Sequence, residues 1–220
     1  VMTIGSGPTN SMRGAAFLTG LSDAIVMDVG GTTTDIGVLG NGFPRESSIA
    51  VDIGGVRTNS RMPDILSIGL GGGTRIHLDA ARYGDDTLDA DALRIGPDSV
   101  GYRLFREARV FGGQTLTASD IAIAAGVVRF GDPAQLPALS PGVLAAVSAR
   151  LRQMLEDGID RMKTSRDDAT ILAVGGGGFL IPDTLKGASQ VIHPQHAAVA
   201  NAVGGAIAQG GAQIEQIVHY

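Results

Sequence analysis

Residues 28–35, DVGGTTTD, place two carboxylates, two glycines and three hydroxyls between two short apolar runs. Gly30 and Gly31 accept positive φ angles, which lets the backbone turn sharply and come close to a ligand. Amides that such a turn exposes can hold a phosphate, and the threonine hydroxyls add donors. Asp28 ends the first apolar run within reach of a metal-bound water, and Asp35 would brace the turn. A tight hairpin with a polar tip explains the stretch about equally well.

Two further glycine-rich loops follow apolar runs. Residues 173–180, AVGGGGFL, clear space for a flat group such as a nucleoside base or sugar, although a glycine-rich turn between a strand and a helix is the better explanation of this stretch alone. Residues 67–74, SIGLGGGT, resemble a dinucleotide fingerprint, but no helix-period run or suitably placed acid follows, so we reject a dinucleotide site. The three loops together indicate a ligand-binding site much less ambiguously than any one of them does.

Composition sets limits on the class of protein. The 220 residues are 44% hydrophobic, which suffices for one core, so we expect a single domain over residues 1–220 with residues 75–115 as a loop-rich insertion. A net charge of −5 without a basic tract argues against nucleic-acid and anionic-membrane partners. The absence of cysteine excludes disulfides, thiolate metal sites and cysteine nucleophiles.

Expectations about the location of the protein rest on weaker signals. The lack of cysteine fits a reducing compartment, and no apolar run reaches the roughly 18 residues of a transmembrane helix. The first residues lack a signal-peptide pattern, and the first residue is not methionine, as expected for a piece of a longer protein. We therefore expect a cytoplasmic protein.

Short apolar runs predict the strands that must position the loops. Runs 24–27 and 36–39 are separated by eight residues, which favours a hairpin. Runs 65–70 and 171–174 are typical of buried strands, each ahead of its glycine loop. Weaker strand candidates are residues 49–51 and 56–58.

Helix signals dominate the second half. Thr117 with Asp120 three positions later indicates a capping box. Ser140 and Pro141 open the longest predicted helix, because proline suits the first helical position. Its apolar stripe keeps the helical period over Val143, Leu144, Val147, Leu151, Met154, Leu155, Ile159 and Met162.

Two stretches rich in small residues predict helices near the two ends of the chain. In residues 7–21, GPTNSMRGAAFLTGL, we attribute Gly14, Ala15 and Ala16 to close packing. Residues 196–209, HAAVANAVGGAIAQ, predict a second helix of this kind.

Taken together, these stretches resemble the actin, sugar-kinase and heat-shock-chaperone superfamily. DVGGTTTDIGVL is similar to its second phosphate motif and AVGGGGFL to its adenosine motif, while the two small-residue helices resemble its connecting helices. More narrowly, the chain resembles the A-type subunit of hydantoinase/oxoprolinase proteins over essentially its whole length. The stretches that carry this narrower resemblance, in order, are residues 6–39, 62–74, 94–101, 117–126 and 191–206.

The resemblance implies a fold and an activity. The fold would be α/β, with a ribonuclease H-like mixed sheet of about five strands and packed helices, forming the second lobe of an actin-like ATPase. The activity would be that of an ATP-dependent cyclic amidohydrolase, which phosphorylates a ring-amide carbonyl so that water can open the ring. Phosphoryl transfer mainly needs positioning and charge neutralisation, usually with Mg²⁺.

The resemblance also assigns roles to individual residues. Asp28 and Thr32 would be catalytic, and Asp28 would place the metal or a water. Asp64 is a weaker candidate for the metal, and a structural carboxylate at the edge of a strand explains it equally well. The terminal phosphates of ATP would be held by Gly30, Gly31, Thr32 and Thr33. The adenosine would be bordered by Gly175, Gly176, Gly177 and Gly178.

Three departures from the family pattern bear on partners and substrate. No first phosphate motif is present; residues 51–60, VDIGGVRTNS, echo one without its run of hydroxyls. Leu66 stands where many relatives have histidine, and residues 102–113 stand where they have a DPGPACYG-like stretch. We therefore expect an N-terminal lobe of the same protein as partner, a B-type subunit as a further one, and a small cyclic amide whose ring the sequence leaves open.

The remaining candidates are less specific. His193 and His196 have a spacing that could hold a metal, but a surface loop or a helix cap explains them better. Two other functions stay open: a nucleotide-dependent binding or regulatory module, and a subunit of the acetone-carboxylase type, which bicarbonate dependence would reveal.

Overall fold

The computed structural model describes residues 6–47 and 62–208, together with the backbone of residues 52–53 and 56–57. The helices are α1 (Ser6–Thr19), α2 (Leu104–Glu107), α3 (Ala118–Ala124), α4 (Pro141–Met162) and α5 (Ala200–Ala206). The strands are β1 (Ala24–Val29), β2 (Thr34–Gly40), β3 (Phe43–Pro44), β4 (Asp52–Ile53), β5 (Val56–Arg57), β6 (Ile65–Ile68), β7 (Thr74–His77), β8 (Arg94–Ser99), β9 (Ala169–Val174) and β10 (Ala188–Ile192). None of the described helices combines the length and the apolar character that crossing a bilayer requires.

The main sheet is mixed and has six strands within the described residues. Its order is β10-β9-β1-β2, and β3 and β6 both pair with the outer edge of β2, so they share the fifth position across the sheet. β1 and β2 form the predicted antiparallel hairpin, whereas β9 runs parallel to both β1 and β10. The predicted run 49–51 and most of the motif-like stretch 51–60 lie outside the described residues; β5 falls within the predicted run 56–58.

Helices cover both faces of this sheet because its central strand is apolar on both sides. In β1, Ile25 and Met27 pack towards α4, while Ala24 and Val26 pack towards α1 and α5. α4 begins as predicted, with the Ser140 hydroxyl accepting the Val143 amide at 3.1 Å. The predicted stripe of α4 is confirmed, since its residues are buried or packed against the main core.

Where α1 and α5 cross, there is no room for a side chain at Gly14 or at Gly204. A Cβ built at Gly14 would overlap the Ala200 carbonyl group, and one built at Gly204 would overlap the Asn10 carbonyl group. Close packing as the reason for the small residues of α1 is thereby confirmed at Gly14 and at Ala15, which is fully buried.

Residues 75–115 form β7, β8, α2 and several 3₁₀ turns. Ile76, Leu88 and Leu93 bury their side chains in the main core, where this segment contacts α3 and α4. The buried Asp120 carboxylate ties the segment to α3: it accepts the Thr117 amide at 2.8 Å, completing the predicted capping box, and the Val110 amide at 2.8 Å. The domain boundaries remain a prediction.

We expect Gly204→Ala to lower the free energy of unfolding of the full-length protein by at least about 2 kcal/mol, because the new methyl group must displace backbone at the helix crossing. Urea denaturation measures this change. Gly205→Ala is the matched control: its methyl group would make only an ordinary contact with Asn10 Nδ2 at 3.6 Å. Alanine is the better helix former, so the control should be neutral or stabilising by up to about 1 kcal/mol. Equal losses in the two variants would contradict the packing argument.

Candidate functional site

The three glycine loops meet at the carboxyl ends of β1 and β9. The Gly177 amide donates to the Val29 carbonyl at 2.8 Å. On the other side, the amides of Gly72 and Gly73 donate to the carbonyls of Gly30 and Gly31 at 3.0 and 2.7 Å. The loop after β1 is therefore held between the loops that follow β9 and β6.

The loop after β1 presents free amides rather than an unusual backbone conformation. Gly30 and Gly31 lie outside the left-handed region, so the positive φ that glycine would have permitted is not used. A Cβ built at Gly31 meets nothing within 4 Å, and the space above this residue is open. Among the described residues, the amides of Gly31, Thr32 and Thr33 find no acceptor. Adjacent amides without partners beside open space can bind an anion.

The four-glycine bend is built against the same loop. Gly175 has a φ of +89°, and a side chain there would overlap Asp28 Oδ1. A Cβ at Gly177 would lie 2.8 Å from Val29 Cγ1, whereas one at Gly176 would meet nothing within 4 Å. Two of these glycines thus permit close packing on β1, while Gly176 borders open space.

The three threonines differ in role. Thr34 is fully buried, and its hydroxyl donates to the Leu70 carbonyl at 2.6 Å. It therefore closes the hairpin onto the neighbouring loop and is not available to a ligand, which corrects the expectation of three hydroxyl donors. Thr32 and Thr33 are exposed.

Two carboxylates lie side by side below the loop. Asp28 and Asp35 are direct partners across β1 and β2, and Asp35 accepts the hydroxyl of Ser67 on β6. Asp35 therefore faces the second carboxylate instead of bracing the turn. Burial raises the pKa of Asp28, a hydrogen bond from the Ser11 hydroxyl lowers this pKa, and the nearby charge of Asp35 raises it. The pairing of Asp35 with Ser67 follows from strand register, which the spacing of these residues in the sequence does not reveal.

These two carboxylates fit Mg²⁺. The ion prefers oxygen ligands and is commonly bound through one or two carboxylates together with substrate phosphates and waters. A cation beside Asp28 and Asp35 would also relieve the repulsion that contributes to the raised pKa of Asp28. No group of three or more His, Cys, Asp or Glu side chains suited to a metal occurs in the described parts of the chain.

Two sequence candidates lie away from the loops. Asp64 precedes β6 at the end that pairs with Gly37, and its carboxylate accepts the Arg45 guanidinium at 2.7 Å. The structure does not bring Asp64 to Gly30 and Gly31. His193 lies 3.4 Å from the Asp183 carboxylate, in a pair rather than in a metal-sized cluster.

A cavity of about 920 Å³ opens beside the four-glycine bend. Its walls come from α3, α4 and residues 179–183. The apolar lining includes Ile121, Phe179 and Ile181, and the polar lining includes Arg152 and Glu156. Sequence reasoning missed the α4 wall, although Ser148, Arg152 and Glu156 recur every four residues and so share one helical face.

Comparison with known sequences gives one family and one curated relative. The Hydantoinase/oxoprolinase family profile matches residues 1–141. The acetone carboxylase beta subunit of Xanthobacter autotrophicus is 32% identical over 129 residues, which are 56% of this chain and 16% of the relative.

Comparison with solved structures concerns the fold. A nucleotide-free acetone carboxylase structure aligns with a TM-score of 0.65 and 24% identity, over 90% of this chain and 31% of that one. The ATP-dependent caprolactamase of Pseudomonas jessenii aligns with a TM-score of 0.65 and 21% identity, over 90% of this chain and 32% of that one. The predicted fold class, a mixed α/β sheet with packed helices as in actin-like ATPases, is confirmed, and the chain spans about a third of these structures.

We expect Gly31→Ala and Gly71→Ala to differ in unfolding free energy, because Gly31 faces open space and Gly71 is packed against the loop after β1. A Cβ at Gly71 would lie 2.6 Å from the Thr32 amide nitrogen, so this variant should lose about 1–3 kcal/mol of unfolding free energy. Gly31→Ala should lie within about 0.5 kcal/mol of the parent protein, because its methyl group meets no atom. Chemical denaturation of the full-length variants measures both values. A large loss in Gly31→Ala would show that the loop is packed on its outer side.

Proposed function

The chain belongs to the hydantoinase/oxoprolinase family, and we propose that it is the ATP-binding lobe of an ATP-dependent enzyme that opens a cyclic amide. The observation that carries the proposal is the meeting of the three glycine loops, which puts free amides, two carboxylates and a large cavity at one end of the sheet. Because the chain spans about a third of the aligned structures, we assign the proposed activity to a whole protein in which a second lobe would complete the site.

In this proposal the loop after β1 binds the end of the triphosphate. The unpartnered amides of Gly31, Thr32 and Thr33 would donate to phosphate oxygens, and the exposed hydroxyls of Thr32 and Thr33 would add donors. Backbone amides suit phosphate binding in an acidic protein, because such a protein has few cationic side chains that could do so.

The nucleoside would occupy the cavity beside the four-glycine bend. Gly176 borders open space, and residues 179–183 continue directly into the cavity wall. Apolar walls with a few polar groups, here Arg152 and Glu156, are typical of sites for flat ligands. Arg152 is already held by the Thr184 carbonyl at 3.0 Å, so its guanidinium is ordered at the cavity.

Asp28 would hold Mg²⁺ or a water with the help of Asp35. When bound, Mg²⁺ neutralises phosphate charge, and ATP supplies the phosphoryl group. Transfer to the carbonyl oxygen of the amide converts a poor electrophile into one with a phosphate leaving group, and water then opens the ring by breaking the C–N bond. The products are ADP, phosphate and the open-chain amino acid or its derivative.

A second candidate has a specific observation in its favour. The match to the acetone carboxylase beta subunit, 32% identical over 129 residues, favours a subunit that activates its substrate for carboxylation instead of hydrolysis. Both candidates use ATP to activate an oxygen atom of the substrate, and they differ in the co-substrate. Bicarbonate dependence therefore distinguishes them.

The deciding experiment uses the full-length protein with and without a B-type subunit. It is incubated with Mg²⁺, ATP and a panel of hydantoins, 5-oxoproline and lactams, and ADP and ring-opened product are quantified together. We expect one ring to open with stoichiometric ADP formation and without bicarbonate. Turnover only with a ketone and bicarbonate supports the carboxylase candidate, whereas tight ATP binding without turnover of any substrate supports a regulatory module.

We expect Gly31→Ala to weaken binding of Mg-ATP by about 10-fold or more, which corresponds to about 1.4 kcal/mol. Its methyl group would stand in the open space above the free amides. Isothermal titration of the full-length protein measures the dissociation constant. Gly40→Ala is the control, since a Cβ there also meets nothing within 4 Å but lies at the opposite end of β2. Unchanged affinity in Gly31→Ala would count against phosphate binding at this loop.

A further inference from the structure

The loop after β1 has different neighbours at its two ends. At its start, the Val29 carbonyl accepts the amide of Gly177 from the four-glycine bend at 2.8 Å. Further along, the Gly31 carbonyl accepts the hydroxyl of Ser99, the last residue of β8, at 3.1 Å. The loop therefore begins against the bend beside the cavity and continues against residues 99–101.

Residues 99–101 are fixed to the loop by backbone and side-chain contacts. Ser99 Oγ also accepts the Gly101 amide at 3.1 Å, and a Cβ built at Gly101 would lie 3.4 Å from Thr32 Cγ2. Val100 is buried between them, and its amide donates to the Gly73 carbonyl at 2.9 Å. The chain that follows this segment thus starts from a fixed point beside Thr32.

The order of these contacts decides where an acceptor for the phosphoryl group would lie. In the proposed function the nucleoside occupies the cavity beside the four-glycine bend, so the phosphates extend along the loop towards residues 99–101. The oxygen that attacks the terminal phosphate and the oxygen that leaves lie roughly in line, with the phosphorus between them. The acceptor would therefore approach from the side that residues 99–101 border.

Two exposed aromatic side chains follow directly on this side. Tyr102 lies one residue beyond Gly101, about 3.8 Å between Cα atoms, and is 94% exposed, more than any other large hydrophobic side chain in the described parts of the protein. Phe105 is 73% exposed, although its ring centroid lies 4.8 Å from that of Phe111. A 3₁₀ turn, Gly101–Arg103, continues into α2, and side chains three residues apart in such a turn lie on the same side. The two rings thus form one apolar surface that the described residues leave open.

We propose that Tyr102 and Phe105 determine substrate specificity by binding an apolar substituent of the ring amide that accepts the phosphoryl group. This inference rests on the proposed function, since it takes the position of the acceptor from the position of the nucleotide. Aromatic side chains bind flat and apolar groups by burying a large area and by ring-to-ring contact. A small unsubstituted ring would reach little of this surface, so the substrate class is a cyclic amide that carries an aryl or alkyl side group.

The experiment compares hydantoin with 5-benzylhydantoin, which differ only in an apolar substituent, and includes 5-oxoproline, whose substituent is a carboxylate. The full-length protein, with and without a B-type subunit, receives Mg²⁺, ATP and one probe, and ADP and ring-opened product give kcat/KM. We expect the parent protein to prefer 5-benzylhydantoin by about 10-fold or more, and Tyr102→Ala and Phe105→Ala to lose most of this preference. Their activity towards hydantoin and their dissociation constant for Mg-ATP should stay within about twofold of the parent values, because this surface serves the substituent alone.

Two further variants are the controls. Tyr102→Phe keeps an aromatic ring at this position and should keep the preference for 5-benzylhydantoin. Phe43→Ala removes another exposed phenylalanine, which is 62% exposed and pairs with Gly40 at the end of β2 away from the loop. It should match the parent protein with every probe.

The outcomes separate this inference from the proposed function. An unchanged preference in Tyr102→Ala and Phe105→Ala, or a parent protein that prefers hydantoin or 5-oxoproline, contradicts the inference and leaves the proposed function intact. An equal loss with hydantoin and 5-benzylhydantoin assigns the two rings to contact with another part of the protein and also overturns the inference. If the parent protein opens no ring, the proposed function fails, and the inference fails with it.

Discussion

The hydrogen bonds that the carbonyls of residues 29–31 accept from two other loops are the constraint on which the site depends. Gly177 donates from one side, and Gly72 and Gly73 donate from the other. While these carbonyls are engaged, the amides of Gly31, Thr32 and Thr33 have no acceptor among the described residues. The same backbone that fastens the three loops together thus leaves its donor side free for a ligand.

This arrangement also explains where glycine is required and where it is merely permitted. A Cβ at Gly71 or Gly177 would press on the backbone or side chains of the loop after β1, so these two residues serve assembly. Gly31 and Gly176 face open space, and no packing requirement accounts for them. Open space alone does not mark a site, since Gly40 is equally open; Gly31 differs because it lies beside amides that have no acceptor among the described residues.

Local rules predicted much of the framework. The hairpin of β1 and β2, the capping box of Thr117 and the proline start of α4 depend on residues close together in the sequence, and all are confirmed. The resemblance to a known family gave the fold class. What the sequence could not provide depends on long-range register: the burial of Thr34 under Leu70, the ion pair that keeps Asp64 with Arg45, and the serine that reaches Asp35 from β6.

The crossing of α1 and α5 joins the first and the last described helix through both backbone and side-chain contacts. Gly14 and Gly204 let α1 and α5 approach until backbone meets backbone. Only at this separation can the short Asn201 amide span from one helix to both Gly7 and Ser11, so the glycines that permit the contact between the helices also permit the hydrogen bonds that join them.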